Sequence, residues 1–208
     1  EILDIARDYW ANGIRHIVAL RGDPQQGTGG KYIPHPQGFA YAVDLVKGLK
    51  SVADFEISVA TYPEPHPESP SADFELTNLK SKIDAGADRA ITQFFFDNAH
   101  FLRFLEAARK RGIWAPIVPG IVPIHNFKQV AGFAARTGAS VPAWLARRYD
   151  GLDEDPATMH LVAAAVAAEQ VLDLDPEGVS VGGDLPVGAQ PRTDGECLLQ
   201  GDRERSAP

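Results

Sequence analysis

The sequence predicts an α/β fold, which we interpret as a (β/α)8 TIM barrel, on three observations. Apolar, β-rich segments alternate with segments of helical periodicity from residue 1 to about residue 175. A glycine separates a helix from the next strand three times, at Gly13, Gly86 and Gly112. Polar side chains follow the strands at their carboxyl ends, where α/β enzymes place their chemistry.

The barrel is favoured over an open doubly wound sheet because the sequence contains neither a G-x-G-x-x-G fingerprint nor a P-loop motif. Only four strands are evident, whereas a complete barrel has eight. A complete barrel also takes about 250 residues, and this chain has 208. We therefore expect a truncated barrel that lacks its N-terminal strands and its last strand, cut from a longer chain. Residues 1–178 form this partial domain, and residues 179–208, poor in large apolar residues, form an atypical and disordered tail.

The helices follow from apolar residues at helical spacing. They are predicted near residues 1–12, 38–49, 73–85, 98–111, 126–137 and 155–174. The first strand, residues 14–20, runs into Arg21-Gly22-Asp23. Taken alone, this motif reads as a turn with a surface ion pair, but its place after an apolar strand favours a ligand site. Gly22 lets a flat ligand approach the backbone, and Asp23 can accept a hydrogen bond from a ring N–H.

The second strand, residues 55–60, ends at a loop with three alternating prolines, which lack amide donors and stiffen the chain. This loop presents Tyr62, His66 and Glu68. A lone loop histidine is normally just exposed, but on a stiff polar loop we interpret His66 as a ligand contact.

The helix that follows places Glu75, Asn78 and Lys82 on one face. A solvated amphipathic surface is the usual meaning of such a triplet. Because this helix begins directly after the proline loop, its N-terminal amides and Lys82 instead favour a phosphate group.

The third strand, residues 89–97, carries Gln93 inside an apolar run, where an unpaired amide costs about 1–3 kcal/mol. Gln93 therefore needs a ligand, water or internal partner, whereas residues 94–96, all phenylalanine, belong to the core. The fourth strand lies within residues 114–124. On the helix after it, Gln129 and Phe133 are four residues apart and offer an amide and a stacking ring, although Phe133 alone is more often core.

Composition narrows the partners. The formal charge of -8 and the pI near 5.2 disfavour nucleic acid. The single cysteine, Cys197, excludes an internal disulfide and a cysteine-based zinc site, and we expect no metal. No apolar run of membrane-spanning length and no signal peptide are evident, so we expect a cytoplasmic protein that does not bind membranes.

Five colinear segments resemble the methylenetetrahydrofolate reductase family, and the resemblance covers residues 1 to about 178. They are ALRGD (19–23), ATYPEPHPE (60–68), LKSKIDAGAD (79–88), ITQFFFD (91–97) and PGIVPI (119–124). The resemblance implies a homo-oligomeric flavoprotein barrel of one-carbon metabolism, on the route to methionine. It would pass a hydride from NADH or NADPH through FAD to 5,10-methylenetetrahydrofolate, giving 5-methyltetrahydrofolate in ping-pong fashion.

Site residues follow by matched motif. The positions that resemble FAD contacts are Arg21, Gly22, Asp23, Ala42, Tyr62, His66, Glu75, Asn78 and Lys82. Asp23 would also meet the folate and tune the flavin. Gln93 resembles the amide that folate and nicotinamide use in turn, with Gln129 and Phe133 beside it, so that Asp23 and Gln93 are the implied catalytic residues.

The chain departs from the family pattern in three places. The family's general-acid glutamate belongs to a strand before this sequence begins, the strand expected after Gly178 is replaced, and Ser81 stands where a second basic residue is common. An alternative is therefore a truncated, catalytically inactive remnant that binds flavin or folate weakly. A Schiff-base aldolase or lyase is disfavoured because the identified strands carry no lysine.

Overall fold

A computed structural model describes residues 1–22 and 32–174 of this chain. Its helices and strands alternate as the sequence predicts. In chain order they are α1 (Ile2–Ala11), β1 (His16–Ala19), α2 (Ala42–Val52), β2 (Glu56–Thr61), α3 (Ala72–Asp84), β3 (Arg89–Phe94), α4 (Asn98–Lys110), β4 (Ile117–Gly120), α5 (Phe127–Thr137), α6 (Ala143–Tyr149) and α7 (Pro156–Leu174).

The four strands form one parallel sheet in the order β1-β2-β3-β4, with each strand hydrogen-bonded to its neighbours along the chain. Ala19 pairs with Val59 and Thr61 pairs with Thr92, so the carboxyl ends of successive strands meet at one edge of the sheet. A sheet whose order follows the sequence has no topological switch point, as expected for a segment of a barrel wall. Across the described ranges the sheet has four strands and does not close, so the complete barrel remains a prediction.

The core lies between one face of the sheet and the helices. Along β2, burial alternates, with Ile57 and Val59 fully buried against α2 and α3 while Ala60 points to the opposite face. That opposite face carries the cavities described below. A second apolar cluster joins the end of β3 to α5, α6 and α7, with Phe94, Leu145 and Val166 among its buried members.

Several predicted boundaries are wrong. The second helix begins at Ala42 rather than at residue 38, because Asp44 Oδ2 accepts a hydrogen bond from the Tyr41 amide and fixes the first turn there. The third strand ends at Phe94, three residues before its predicted end, and the fourth is confined to Ile117–Gly120. Helix α6 was not predicted at all, since seven residues are too few to show a clear helical period.

Helix α7 is long and apolar enough to cross a membrane by those two criteria alone, which core helices of globular domains also meet. Of its buried residues, Met159 and Val166 belong to the second apolar cluster, and Leu174 belongs to the core between the sheet and the helices. The predicted disordered tail, residues 179–208, lies outside the described residues.

Candidate ligand-binding site

The loops after β1 and β2 meet at the carboxyl edge of the sheet through an ion pair. Arg21 Nη1 lies 2.8 Å from Glu68 Oε2, and this hydrogen bond holds the pKa of the Glu68 carboxyl below its usual range. The Arg21 guanidinium also lies 4.3 Å from the centroid of the Tyr32 ring. Arg21 is therefore held in position by the Glu68 carboxylate and by the face of the Tyr32 ring.

The proline loop, residues 62–68, orients His66. The Glu68 amide donates a hydrogen bond to His66 Nδ1 at 3.1 Å, so the neutral imidazole carries its proton on Nε2 and can donate from there. The ring packs edge-on against Tyr62, with centroids 4.9 Å apart. The His66 amide itself donates to Glu75 Oε1 at 3.2 Å, which ties the loop to α3.

The polar face of α3 is largely buried, so it is not a solvated surface. Glu75 is 4% exposed and Lys82 is 8% exposed, while Asn78 is half-buried. Lys82 Nζ donates to the carbonyl oxygen of Ala60 at 2.9 Å. Burial lowers the pKa of Lys82, and the negative charge of Glu75 partly opposes that shift. A buried lysine and a buried glutamate thus face one cavity from a single helix.

Gln93 has an internal partner for one end of its amide. Its Oε1 accepts a hydrogen bond from the Phe94 amide at 3.0 Å, which leaves Nε2 as the donor that a ligand would meet. The Phe133 ring stacks on Phe94 at a centroid distance of 5.6 Å and stays partly exposed. Residues 94–96 are buried as predicted, and burial alternates along β3, so that Gln93 lies on the face opposite to Phe94.

The first cavity, of about 540 Å³, lies between the ends of β1 and β2 and helices α2 and α3. Every predicted cofactor-binding residue within the described ranges lines it. These residues are Arg21, Gly22, Ala42, Tyr62, His66, Glu75, Asn78 and Lys82. Gly22 has a φ of 82°, a conformation that favours glycine. Asp23 lies outside the described residues.

The second cavity, of about 580 Å³, lies over β2 and β3 and reaches α5. Of the three predicted substrate-binding residues in the described ranges, Gln93 and Phe133 line it, whereas Gln129 does not and is exposed one turn earlier on α5. Sequence reasoning missed Arg136 and Thr137, which line the same cavity. Helical spacing could have identified Arg136, because it follows Phe133 by three residues and so lies next to it on the surface of α5.

The two cavities adjoin. Six residues line both of them: Leu20, Arg21, Ala60, Tyr62, His66 and Glu68. Both volumes fall within the ~300–1,000 Å³ typical of small-molecule sites. Ligands in the two cavities would therefore contact a common set of residues. Within the described ranges, no three His, Cys, Asp or Glu side chains gather as metal ligands would.

Comparison with known proteins gives a consistent family. Residues 1–182 match the family described as methylenetetrahydrofolate reductase. The chain is 55% identical over 179 residues to the 5,10-methylenetetrahydrofolate reductase of Escherichia coli and 55% identical over 180 residues to that of Pectobacterium carotovorum. Both alignments cover 86% of this chain. An Arabidopsis thaliana protein, methylenetetrahydrofolate reductase (NADH) 1, is 36% identical over 82% of this chain and 30% of its own length.

The chain spans 58% of the length of the two bacterial relatives. Among solved structures, an uncharacterized Clostridium thermocellum protein that binds two copies of 5-methyl-5,6,7,8-tetrahydrofolic acid matches with a TM-score of 0.46 and 19% identity. That match covers 66% of this chain and 49% of the other.

Proposed function

The chain belongs to the methylenetetrahydrofolate reductase family, and from that premise we propose that it forms the flavin and substrate site of a reductase. FAD occupies the first cavity. NADH or NADPH and then 5,10-methylenetetrahydrofolate occupy the second in turn. The observation that carries this proposal is the set of six residues that line both cavities, which makes the two binding spaces direct neighbours. The four-stranded sheet is part of the wall of a (β/α)8 barrel, and the full-length protein is a cytoplasmic homo-oligomer.

The donor set of the first cavity fits a flavin dinucleotide. Arg21 and Lys82 supply N–H donors for phosphates, beside the Glu68 and Glu75 carboxylates that line the same cavity, and His66 supplies an Nε2–H donor. Tyr32 and Tyr41 add aromatic walls to the same cavity. When bound, the flavin supplies the group that accepts a hydride from the nicotinamide and returns it to the folate.

The residues of this chain bind and orient the reactants. Gln93 Nε2 donates to a ring carbonyl or carboxamide of the second ligand, since its Oε1 is already occupied by the Phe94 amide. Phe133 stacks on a planar part of that ligand, and Phe94 supports Phe133 from behind. Asp23 keeps the role that the family motif implies for it.

A binding-only function is the second candidate, and one observation favours it. Among the described residues, Glu68 is the single carboxylate that lines the second cavity. Its hydrogen bond with Arg21 lowers its pKa, so it stays ionised and cannot supply the proton needed to open the folate ring. Without another acid, this chain would bind flavin and folate and transfer nothing to the folate.

Anaerobic mixing separates the two candidates. The chain is saturated with FAD and mixed first with NADH or NADPH and then with 5,10-methylenetetrahydrofolate, while the flavin absorbance is followed. A reductase shows bleaching followed by recovery of the absorbance. Flavin binding without recovery identifies the binding-only function, and no saturable flavin binding contradicts both.

A further inference from the structure

Arg136, in the last turn of α5, is a cation at the second cavity that has no acidic partner among the described residues. It lines that cavity and is exposed. No carboxylate of residues 1–22 or 32–174 lies within ion-pair distance of it, whereas the other arginine of the cavity, Arg21, is bound to Glu68. Within the part of the chain that the structure describes, the arginines and carboxylates lining the cavity are thus Arg21, Arg136 and Glu68, which leaves an excess positive charge at the α5 side.

An aromatic contact helps to hold the Arg136 guanidinium over the cavity. Its Cζ lies 5.5 Å from the centroid of the Phe133 ring, within range of a cation–π interaction. Phe133 in turn stacks on the buried Phe94. The Phe133 ring contacts the guanidinium without using its N–H donors. These planar donors therefore remain available to bind a phosphate or a carboxylate.

We infer that Arg136 binds the anionic end of the ligand whose ring contacts Gln93 in the second cavity. This inference rests on the proposed function. Gln93 lies on the sheet and Arg136 on α5, at different sides of the same cavity, so one ligand that meets both must carry a polar ring and a separate anionic group. Nicotinamide dinucleotides carry phosphates in that relation to their ring, and folates carry glutamate carboxylates.

Calorimetric titration of the full chain, saturated with FAD, tests the inference. The ligands are NAD⁺, NADP⁺, 5-methyltetrahydrofolate, and two analogues without the anionic end, nicotinamide riboside and the dimethyl ester of the folate. Arg136→Gln is compared with Arg136→Lys, which keeps the charge, and with Arg147→Gln. Arg147 is exposed on α6 and lines neither cavity, so it is a matched control.

We expect Arg136→Gln to raise the Kd of at least one anionic ligand about tenfold, as loss of one charge-assisted hydrogen bond would. Arg136→Lys should raise that Kd by a smaller factor, and Arg147→Gln should change it less than about twofold. The analogues should bind Arg136→Gln and the unaltered chain equally. A shift confined to dinucleotides assigns the phosphate, and one confined to the folate assigns the carboxylate.

Two results would overturn the inference. One is an unchanged Kd for every anionic ligand in Arg136→Gln, and the other is an equal loss for ligands with and without the anionic end. If FAD still binds and the second ligands still bind with unchanged Kd, the proposed function stands and only the role of Arg136 fails. If the unaltered chain binds neither FAD nor any second ligand, both fail together.

Discussion

Both carboxylate oxygens of Glu64 lie 3.1 Å from the backbone nitrogen of Ser140, which is 76 residues further along the chain. The Glu64 side chain is 12% exposed, and its Oε2 is also 3.6 Å from His100 Nε2. This contact fastens the proline loop, which lines both cavities, to the segment that follows α5.

Removing the Glu64 carboxylate should loosen that connection. We expect Glu64→Ala to lower the free energy of unfolding by about 1–3 kcal/mol, because the Ser140 amide loses a charged acceptor. Glu64→Gln should cost less, since its amide oxygen still accepts the hydrogen bond. Urea denaturation of the three proteins measures the difference, and equal stability of Glu64→Ala and the unaltered chain would contradict it.

Gly138 lets the same loop approach α5 closely. Its φ is +81°, and a Cβ added there would lie 2.8 Å from the Pro65 carbonyl oxygen and 3.2 Å from Pro67 Cδ. Gly112 has a similar φ of +73° with nothing within 4 Å of an added Cβ, so it is a matched control for backbone strain.

Gly112→Ala should therefore lower the free energy of unfolding by about 1–2 kcal/mol, because alanine is strained in the left-handed conformation. Gly138→Ala should lower the free energy of unfolding by about 1–3 kcal/mol more than Gly112→Ala does, because the new methyl group must displace the proline loop. Thermal or urea unfolding compares the two variants. If Gly138→Ala is no less stable than Gly112→Ala, the close approach of the loop has no energetic consequence.

Lys82 makes stability depend on alkaline pH. Burial lowers its folded pKa below 10.5, the ordinary value, so between the two values the unfolded chain binds more protons than the folded chain. The contribution of Lys82 to stability therefore rises with pH through that window and levels off above about pH 10.5.

Lys82→Met removes this contribution. The stability of the unaltered chain minus that of Lys82→Met should increase as the pH is raised toward about 10.5. Urea unfolding without flavin, at several pH values from about 7 upward, gives the difference directly. A difference that stays constant or falls with pH would mean that Lys82 is not desolvated.

Two glutamines test the extent of the second cavity. Gln93 lines it, whereas Gln129 is exposed outside both linings although the family motif also associates it with the substrate. We expect Gln93→Ala to weaken binding of 5-methyltetrahydrofolate and of NAD⁺ to the flavin-loaded chain by about 1–3 kcal/mol, and Gln129→Ala to weaken it less. Calorimetry measures both, and a larger loss for Gln129→Ala would contradict this placement.

Sequence patterns were sufficient for features that depend on local periodicity. The four strands, six of the seven described helices and the phenylalanine core at residues 94–96 follow from apolar spacing and from glycines at helix ends. The matched motifs also named eight of the sixteen residues that line the first cavity.

Features that depend on distant contacts could not be predicted. The burial of Glu75 and Lys82 arises because α3 packs its polar face over the end of β2, which helical spacing alone cannot distinguish from a solvated face. The contact between Glu64 and Ser140 joins segments 76 residues apart and leaves no local pattern. Arg136 was missed because its importance depends on the position of α5 over the sheet.

The flavin site in the first cavity is tested most directly by titrating FAD into the unaltered chain, Lys82→Met and Lys80→Met. Flavin fluorescence reports the binding. Lys80 is on the same helix but binds Asp84 outside both cavity linings, so it controls for the loss of a lysine from α3. We predict saturable FAD binding to the unaltered chain, a Kd raised about tenfold or more in Lys82→Met, and a Kd changed less than about twofold in Lys80→Met. Equal FAD affinity in all three proteins, or no saturable binding to the unaltered chain, would contradict a flavin site in the first cavity.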